Sequence, residues 1–515
     1  MRQQGGPSAD RRGFVQGAGA LLLGAGLAGS MPGSLRAATP KKGGHLKLGI
    51  DSAGATDSLD PATYTAWYMQ IVGFQWGNCL VELDEKVRPV PELAESWEPN
   101  ADATRWVFKL RKGVTFHNGK ELTAADVVYS INHHRGEGSK SGATGYLTVI
   151  KDVKATGPNE VTFVLDSSYA DLPYVLADYH LLIVPEGADW TKPVGTGGYI
   201  VETFEPGVRT LAKRNPNYWK EGRAWADSIE TLALNDLTAR TSALQTGSVH
   251  FINRLDPKTV GLLERAPGMQ VYNMPSAGHY CFPMRCDTDP FTNNDLRLAL
   301  KYGIDREDVV KKILRGYGQV GNDHPVPSFD PFHAADIPQR AYDPDKAKFH
   351  FKKAGVSGPI RLSVSDAAFT GAVDAATLYK EHLAKCGITL DLVREPADGY
   401  WSNVWMVKPF CASYWGGRPT ADLMLSVAYK SDAAWNESFW KRPKFDQLLL
   451  QARGELDTAK RKQMYHDLQM MVHEDGGEVI PMFNNMLFGA RKDVAGLVQT
   501  PVLAGLRCGE QLYFT

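Results

Sequence analysis

The sequence predicts a mixed α/β protein of more than one domain, and three features of the chain lead there. Short runs that alternate apolar and polar residues, as half-buried strands do, recur along its length. Between them lie capped segments whose apolar residues fall at helical spacing. No period repeats, and 515 residues with 43% hydrophobic and 22% charged side chains can bury more than one sizeable core.

Taken in order, Leu46, Leu48 and Ile50 alternate with polar or small residues and predict a first strand, which runs into the loop before Leu59-Asp60-Pro61. Pro91-Glu92-Leu93-Ala94, with proline near a first position, predicts a helical turn. Trp106, Phe108 and Leu110 alternate with Arg105, Lys109 and Arg111 as a strand, and Asn118-Gly119 supplies a turn after it. Thr123 followed by Asp126 predicts the capped start of a helix that lays Val127, Val128 and Ile131 inward. Its histidines, His133 and His134, are adjacent and so point about 100° apart, which does not suit a shared metal ion. That stretch therefore reads as strand, turn and helix, a framework without chemistry.

The same grammar continues. Gly157-Pro158-Asn159 marks a hairpin, and the glycines from Gly195 to Gly198 feed two further strands. A helix follows Asp236 and ends at Gly247. Residues 293–318 hold two helices, the second starting at Asp305 with Asp308 three residues on. Near the end, Met464, Leu468, Met471 and Val472 share a helical face.

Residues 1–38 read as an export signal to be removed. Arg11 and Arg12 precede an uncharged run from Gly13 to Leu35 that contains seven glycines, and small residues follow at Ala37 and Ala38, the order of a twin-arginine signal. Cleavage would take away four arginines and one aspartate, leaving a formal charge of -4 against -1 for the whole chain. Neither figure, with no basic run, gives an electrostatic reason to bind nucleic acid. No cysteine precedes Cys79 to carry an N-terminal lipid, which favours a soluble periplasmic protein. The six cysteines show no C-x-x-C or zinc-like spacing; Cys281 and Cys286 could close a short disulfide loop or remain buried thiols. No G-x-S-x-G, H-E-x-x-H or P-loop motif is present, and neither metal nor cofactor is expected. A secreted enzyme exported folded remains the rival class, supported only by the signal.

A set of short motifs in fixed order then carries a likeness: Leu59-Asp60-Pro61-Ala62, Pro91 to Trp97, Leu110 to Ser130, Gly195 to Tyr199, Asn215 to Trp219 and Tyr342 to Ala347. Through them the chain resembles the family 5 extracellular solute-binding proteins, the dipeptide- and oligopeptide-binding proteins of ABC importers. The resemblance implies a two-lobed, hinged periplasmic binding protein fold, type II-like, with an extra subdomain. Lobe I would comprise residues 39–275 plus 485–515 with a subdomain inserted at roughly 87–205, and lobe II residues 276–484. It also implies a monomeric periplasmic protein that performs no turnover, closes on a small peptide or amino-acid-derived ligand, and hands it to ABC permease subunits in the inner membrane.

The residues that suit such a ligand cluster after Cys411. Tyr414, Trp415, Gly417, Arg418 and Asp422 combine aromatic area, a backbone that allows close approach, a cation and an anion. Arg418 could hold a carboxylate, Asp422 could accept from an ammonium group, and Trp415 could cover a side chain. A turn braced by an Arg418 to Asp422 ion pair is the alternative. Secondary candidates are Tyr64 and Trp67 after the first loop, His279 beside the first crossing between lobes, Trp401, and Trp435 with Asn436.

Overall fold

The computed structural model describes residues 39–136, 138–396 and 399–515. The expected export signal at 1–38 lies outside the described residues. Among the described residues no helix is long and apolar enough to cross a membrane.

Two sheets organise the chain. The larger has seven strands in the order Met269–Met274, Met486–Arg491, Phe251–Ile252, His45–Ile50, Ser228–Ala233, Arg209–Arg214, Tyr199–Glu205. His45–Ile50 lies inside it, parallel to both neighbours. The alternation legible in the sequence buries Leu46, Leu48 and Ile50 completely, each contributing about 1.5–3 kcal/mol of transfer free energy. They pack on the helix Trp67–Trp76, whose residues face the same core as Phe251 and Phe488.

Beside this sheet a separate antiparallel one, Ala94–Pro99, Arg105–Leu110, Glu160–Leu165, Ile150–Gly157, has its own core of Trp106, Phe108, Val161 and Phe163 under the helix Ala124–His133. Thr123 and Asp126 form a reciprocal capping box at that helix. Its histidines are structural. His133 Nε2 lies 2.8 Å from Asp60 and its ring stacks on Trp190 at 3.7 Å, while His134 Nδ1 meets Ser141 Oγ at 2.7 Å.

The smaller principal sheet has the order Gly318–Val320, Glu478–Asn484, His279–Pro283, Ser413–Trp415. It is covered on both faces. Phe282 enters a core with the helices Asn294–Tyr302 and Ala372–Lys385, whereas its neighbour Cys281 enters one with Ala421–Ala428, Pro443–Gly454 and Thr458–Asp475. The chain passes between the two principal sheets at residues 275–278 and at Asn485. The passages lie side by side: Ser276 Oγ donates to Asn484 O at 2.7 Å, and Asn484 N donates to Gly278 O at 3.1 Å.

One predicted element is corrected. Pro91 to Ala94 forms no helical turn; Pro89–Pro91 pairs with Val81–Leu83, and Ala94 opens the strand to Pro99. Glu92 explains the extension, because its carboxylate accepts from Cys79 N and Asn78 Nδ2 while Leu93 N donates to Cys79 O, so the segment is hydrogen-bonded sideways. All six cysteines are free thiols, Cys281 and Cys286 included.

Candidate functional site

Ser413–Trp415 is the edge strand of the smaller principal sheet, and its alternation sorts the candidate aromatics onto two faces. Opposite it, His279 pairs with Trp415, Tyr280 with Tyr414 and Cys281 with Ser413. On one face Tyr280 stacks on Phe369 at 4.1 Å, and Tyr414, 48% exposed, meets the edge of the exposed Trp401 at 5.5 Å. On the other face Trp415 is buried to 5% exposure, with the exposed Trp435 at 6.1 Å. His279 lies there too, fully buried against Phe483, and burial pushes its imidazole down to about 4. It is a neutral ring at physiological pH.

Beyond Trp415 the chain turns against the first passage between sheets. A Cβ at Gly417 would stand 2.6 Å from Ala277 Cβ, so only glycine allows this approach. Arg418 follows, half-buried, with its Nη1 donating to Gly416 O at 3.1 Å and its guanidinium 6.0 Å from the Trp415 ring. Among the described residues no carboxylate lies within ion-pair distance of it. The guanidinium also acts on Tyr146 and Tyr179: burial raises both phenols, and Arg418 pulls the other way.

Arg418, Thr420 and Met424 line a narrow crevice together with Ala277, Val326 and Asp330. Sequence reasoning missed Asp330, which sits in a Phe-Asp-Pro segment with no local sign of a site. One carboxylate oxygen accepts from Phe332 N at 2.8 Å, and burial pushes the group up to about 7. The crevice thus holds one cation and one carboxyl that titrates near neutrality, not ion-paired to each other.

Asp422 differs from the expectation. Thr420 Oγ1 caps the helix Ala421–Ala428, and the helical turn carries Asp422 to its buried face. There its carboxylate receives Arg453 Nε at 3.2 Å and Tyr465 OH at 3.2 Å. Burial raises the carboxyl while Arg453 lowers it. It is committed within the protein, and neither a free ammonium acceptor nor an Arg418 to Asp422 pair exists. Asn436 is likewise internal, its amide donating to Trp440 O at 2.7 Å. Tyr64 is a core residue whose hydroxyl donates to Leu59 O at 3.0 Å, and Trp67 lies half-buried beside Phe488 at 6.1 Å, on the larger sheet. The structure therefore brings Tyr414, Trp415, Trp435, Trp401, Gly417, Arg418 and His279 into one neighbourhood, and places Asp422, Asn436, Tyr64 and Trp67 in packing roles.

Comparison with known proteins gives the class. Residues 88–437 match the family described as bacterial extracellular solute-binding proteins, family 5 Middle, and the chain belongs to that family. It is similar to the dipeptide-binding protein of Escherichia coli K12, 24% identical over 538 aligned positions covering 90% of this chain and 97% of that one. Among solved structures it is similar to the periplasmic binding protein DppA of Helicobacter pylori in complex with the peptide STSA. That match has a TM-score of 0.78, 23% identity and coverage of 92% and 98% of the two chains. It is also similar to AgaA of A. tumefaciens R10 in complex with agropinic acid, with a TM-score of 0.79, 22% identity and coverage of 92% and 99%. These likenesses establish the two-lobed periplasmic binding fold.

Proposed function

We propose that this protein is the periplasmic substrate-binding component of an ABC importer. It captures a small peptide or amino-acid-derived solute that carries a carboxylate, and performs no turnover. One observation carries the reading: Arg418 is a half-buried guanidinium without a carboxylate partner among the described residues, set between an aromatic wall and a crevice. Such a group binds an anion through charge-assisted, bidentate hydrogen bonds. Trp435 offers exposed aromatic area against Trp415 on the same face, and Tyr414 with Trp401 offers more on the other. The ligands bound in two similar proteins, the peptide STSA in one and agropinic acid in the other, support a ligand of this chemistry.

Capture works by closure of two lobes. Lobe I is assigned to residues 39–275 and 485–515, with the subdomain at roughly 87–205, and lobe II to 276–484; strand membership in the two principal sheets supports the division between the lobes, while Tyr199–Glu205 pairs within the larger sheet and draws the subdomain's end back before it. The two adjacent passages at 275–278 and Asn485 are the natural flexure, since only the closed form would touch a ligand from both sides. Residues 1–38 would direct export by the twin-arginine route and be removed, and the mature protein would act as a monomer that docks on membrane permease subunits.

The test is a thermal-shift screen of the mature chain against peptides, opine-like acids and N-acylated amino acids. A true ligand at 100 times its Kd stabilises by about 2.7 kcal/mol. Arg418→Met is expected to weaken that ligand roughly 10- to 150-fold, about 1.5–3 kcal/mol for a charged hydrogen-bonding partner, with the unliganded melting temperature unchanged. Full affinity in Arg418→Met would refute the anchor.

A further inference from the structure

Behind Trp415 lies a cluster that the ligand reading does not use. Glu437 and Glu478 are both buried, at 2% and 1% exposure, and one oxygen of each lies with Cys281 Sγ inside a set of atoms within 4.8 Å of one another. Glu437 is surrounded by donors. Trp415 Nε1 donates to its Oε1 at 2.8 Å, Ser413 Oγ to its Oε2 at 2.7 Å, Cys281 Sγ to Oε1 at 3.4 Å, and the Trp405 indole also donates to Oε2. Glu478 has one donor at most, the Tyr429 hydroxyl at 2.5 Å from Oε2, and its Oε1 is buried without a hydrogen-bond partner.

Two ionised carboxylates this close, with no cation bonded to either among the described residues, would repel in a low-dielectric site. Lys301 acts on Glu478 from the helix Asn294–Tyr302, but its ammonium is spent on Val472 O and His473 O. The other titratable neighbours, Cys281, Cys411, Tyr400 and Tyr429, are all held protonated by burial. The cluster therefore lacks a positive partner, and a single proton is what neutralises half of it.

We propose that Glu437 is the ionised positioning residue of the ligand wall and that Glu478 is its neutral, protonated companion. The division follows from the donors. An acceptor of four hydrogen bonds gains from its charge, whereas Glu478 keeps an oxygen free to place a proton toward Glu437. Glu437 grips the indoles of Trp405 and Trp415 at once, and the Trp415 ring sits beneath the Arg418 guanidinium at 6.0 Å. Asn436 fixes the turn that delivers it, accepting from Trp440 N at 3.2 Å. The positioning role rests on the ligand reading above; the protonation pattern does not.

Infrared spectroscopy of the mature protein in heavy water at about pH 9 separates the two glutamates without any ligand. A carboxylic-acid C=O band is expected that Glu478→Gln removes and Glu437→Gln leaves in place. Near-ultraviolet circular dichroism should show the converse, with tryptophan fine structure reduced in Glu437→Gln and retained in Glu478→Gln, since a glutamine amide cannot accept from two indoles and a hydroxyl together. A band lost in Glu437→Gln and kept in Glu478→Gln would overturn the assignment. So would the absence of any such band, and so would a stoichiometric metal ion in the purified protein that Cys281→Ser abolishes. If Glu437→Gln does not fold, a band that persists in Glu478→Gln still overturns the assignment.

Discussion

The molecule buries two groups of glutamates and treats them in opposite ways. Near the larger sheet, Glu82, Glu92 and Glu510 are interleaved with Lys220, Arg223 and Arg507. Arg507 clasps Glu92 bidentately at 2.7 and 2.8 Å, and reaches Glu510 at 3.3 Å. Near the smaller sheet, Glu437 and Glu478 have neutral donors only among the described residues. Charge compensated by charge makes a clamp between distant parts of the chain, since Glu92 and Arg507 lie 415 residues apart. Charge compensated by indoles, a hydroxyl and a proton makes a mount that orients the rings it holds. The first is a stability device, and the second is a shape device.

Breaking the clamp gives the largest effect. Arg507→Met leaves Glu92 and Glu510 buried and under-compensated, and is expected to cost about 3–5 kcal/mol. Urea unfolding measures it, and a loss below 1 kcal/mol would mean that Lys220 and Arg223 suffice alone. A smaller version sharpens the contrast: Glu510→Gln should cost about 2 kcal/mol through weakened charged hydrogen bonds to Tyr218, Lys220 and Arg507. Glu478→Gln, a neutral group replacing a neutral group, should cost well under 1 kcal/mol at neutral pH. Equal costs at the two positions would erase the distinction.

These two regions also differ in how much of them the sequence discloses. Local elements were legible wherever a short-range rule decides them: the period-two strand at 45–50, the capping box at Thr123 and Asp126, and the helices behind Asp236 and Asp305. The extended course of Pro91 to Ala94 was not, because proline near a first position serves a strand edge as well as a helix start, and the partners that hold Glu92 sideways, Asn78 and Cys79, with Arg507 at the far end of the chain, all lie outside the segment. At the site, Tyr414, Trp415, Gly417 and Arg418 stood out because aromatic, glycine and cation are contiguous. Asp422 misled for the same reason. Its nearness to Arg418 in sequence counted for less than the helical phase set by Thr420, which turns it to Arg453 and Tyr465. Asp330 and Glu437 carry no local signal at all, since each acquires its role only from residues brought to it by packing.

Acid pH should act on the clamp. Burial alone would raise Glu510, but Lys220, Arg507 and Arg223 hold it down to about 2 against an ordinary 4.5. A carboxyl with a lowered folded pKa contributes stability that is complete above about 4.5 and is lost as pH falls through about 2. Wild-type stability should therefore drop steeply over that interval, and Glu510→Gln should flatten the drop. An unchanged acid limb would show that other carboxyls dominate it.

The opposite pH dependence lies at the other end of the scale and tests the mount. Burial and the neighbouring charge of Glu437 raise Glu478 well above its ordinary 4.5, so between that value and its folded one the native state holds a proton that the unfolded chain has released. Stability then declines with rising pH across that window, the reverse of the clamp. Glu478→Gln has no proton to lose, so its stability curve should be flatter than that of the wild type on the alkaline side, and the two should cross as pH rises. Parallel curves from pH 5 to 9 would mean that Glu478 is ionised in the folded protein, and the rings of Trp405 and Trp415 would then be held by a different balance of charge.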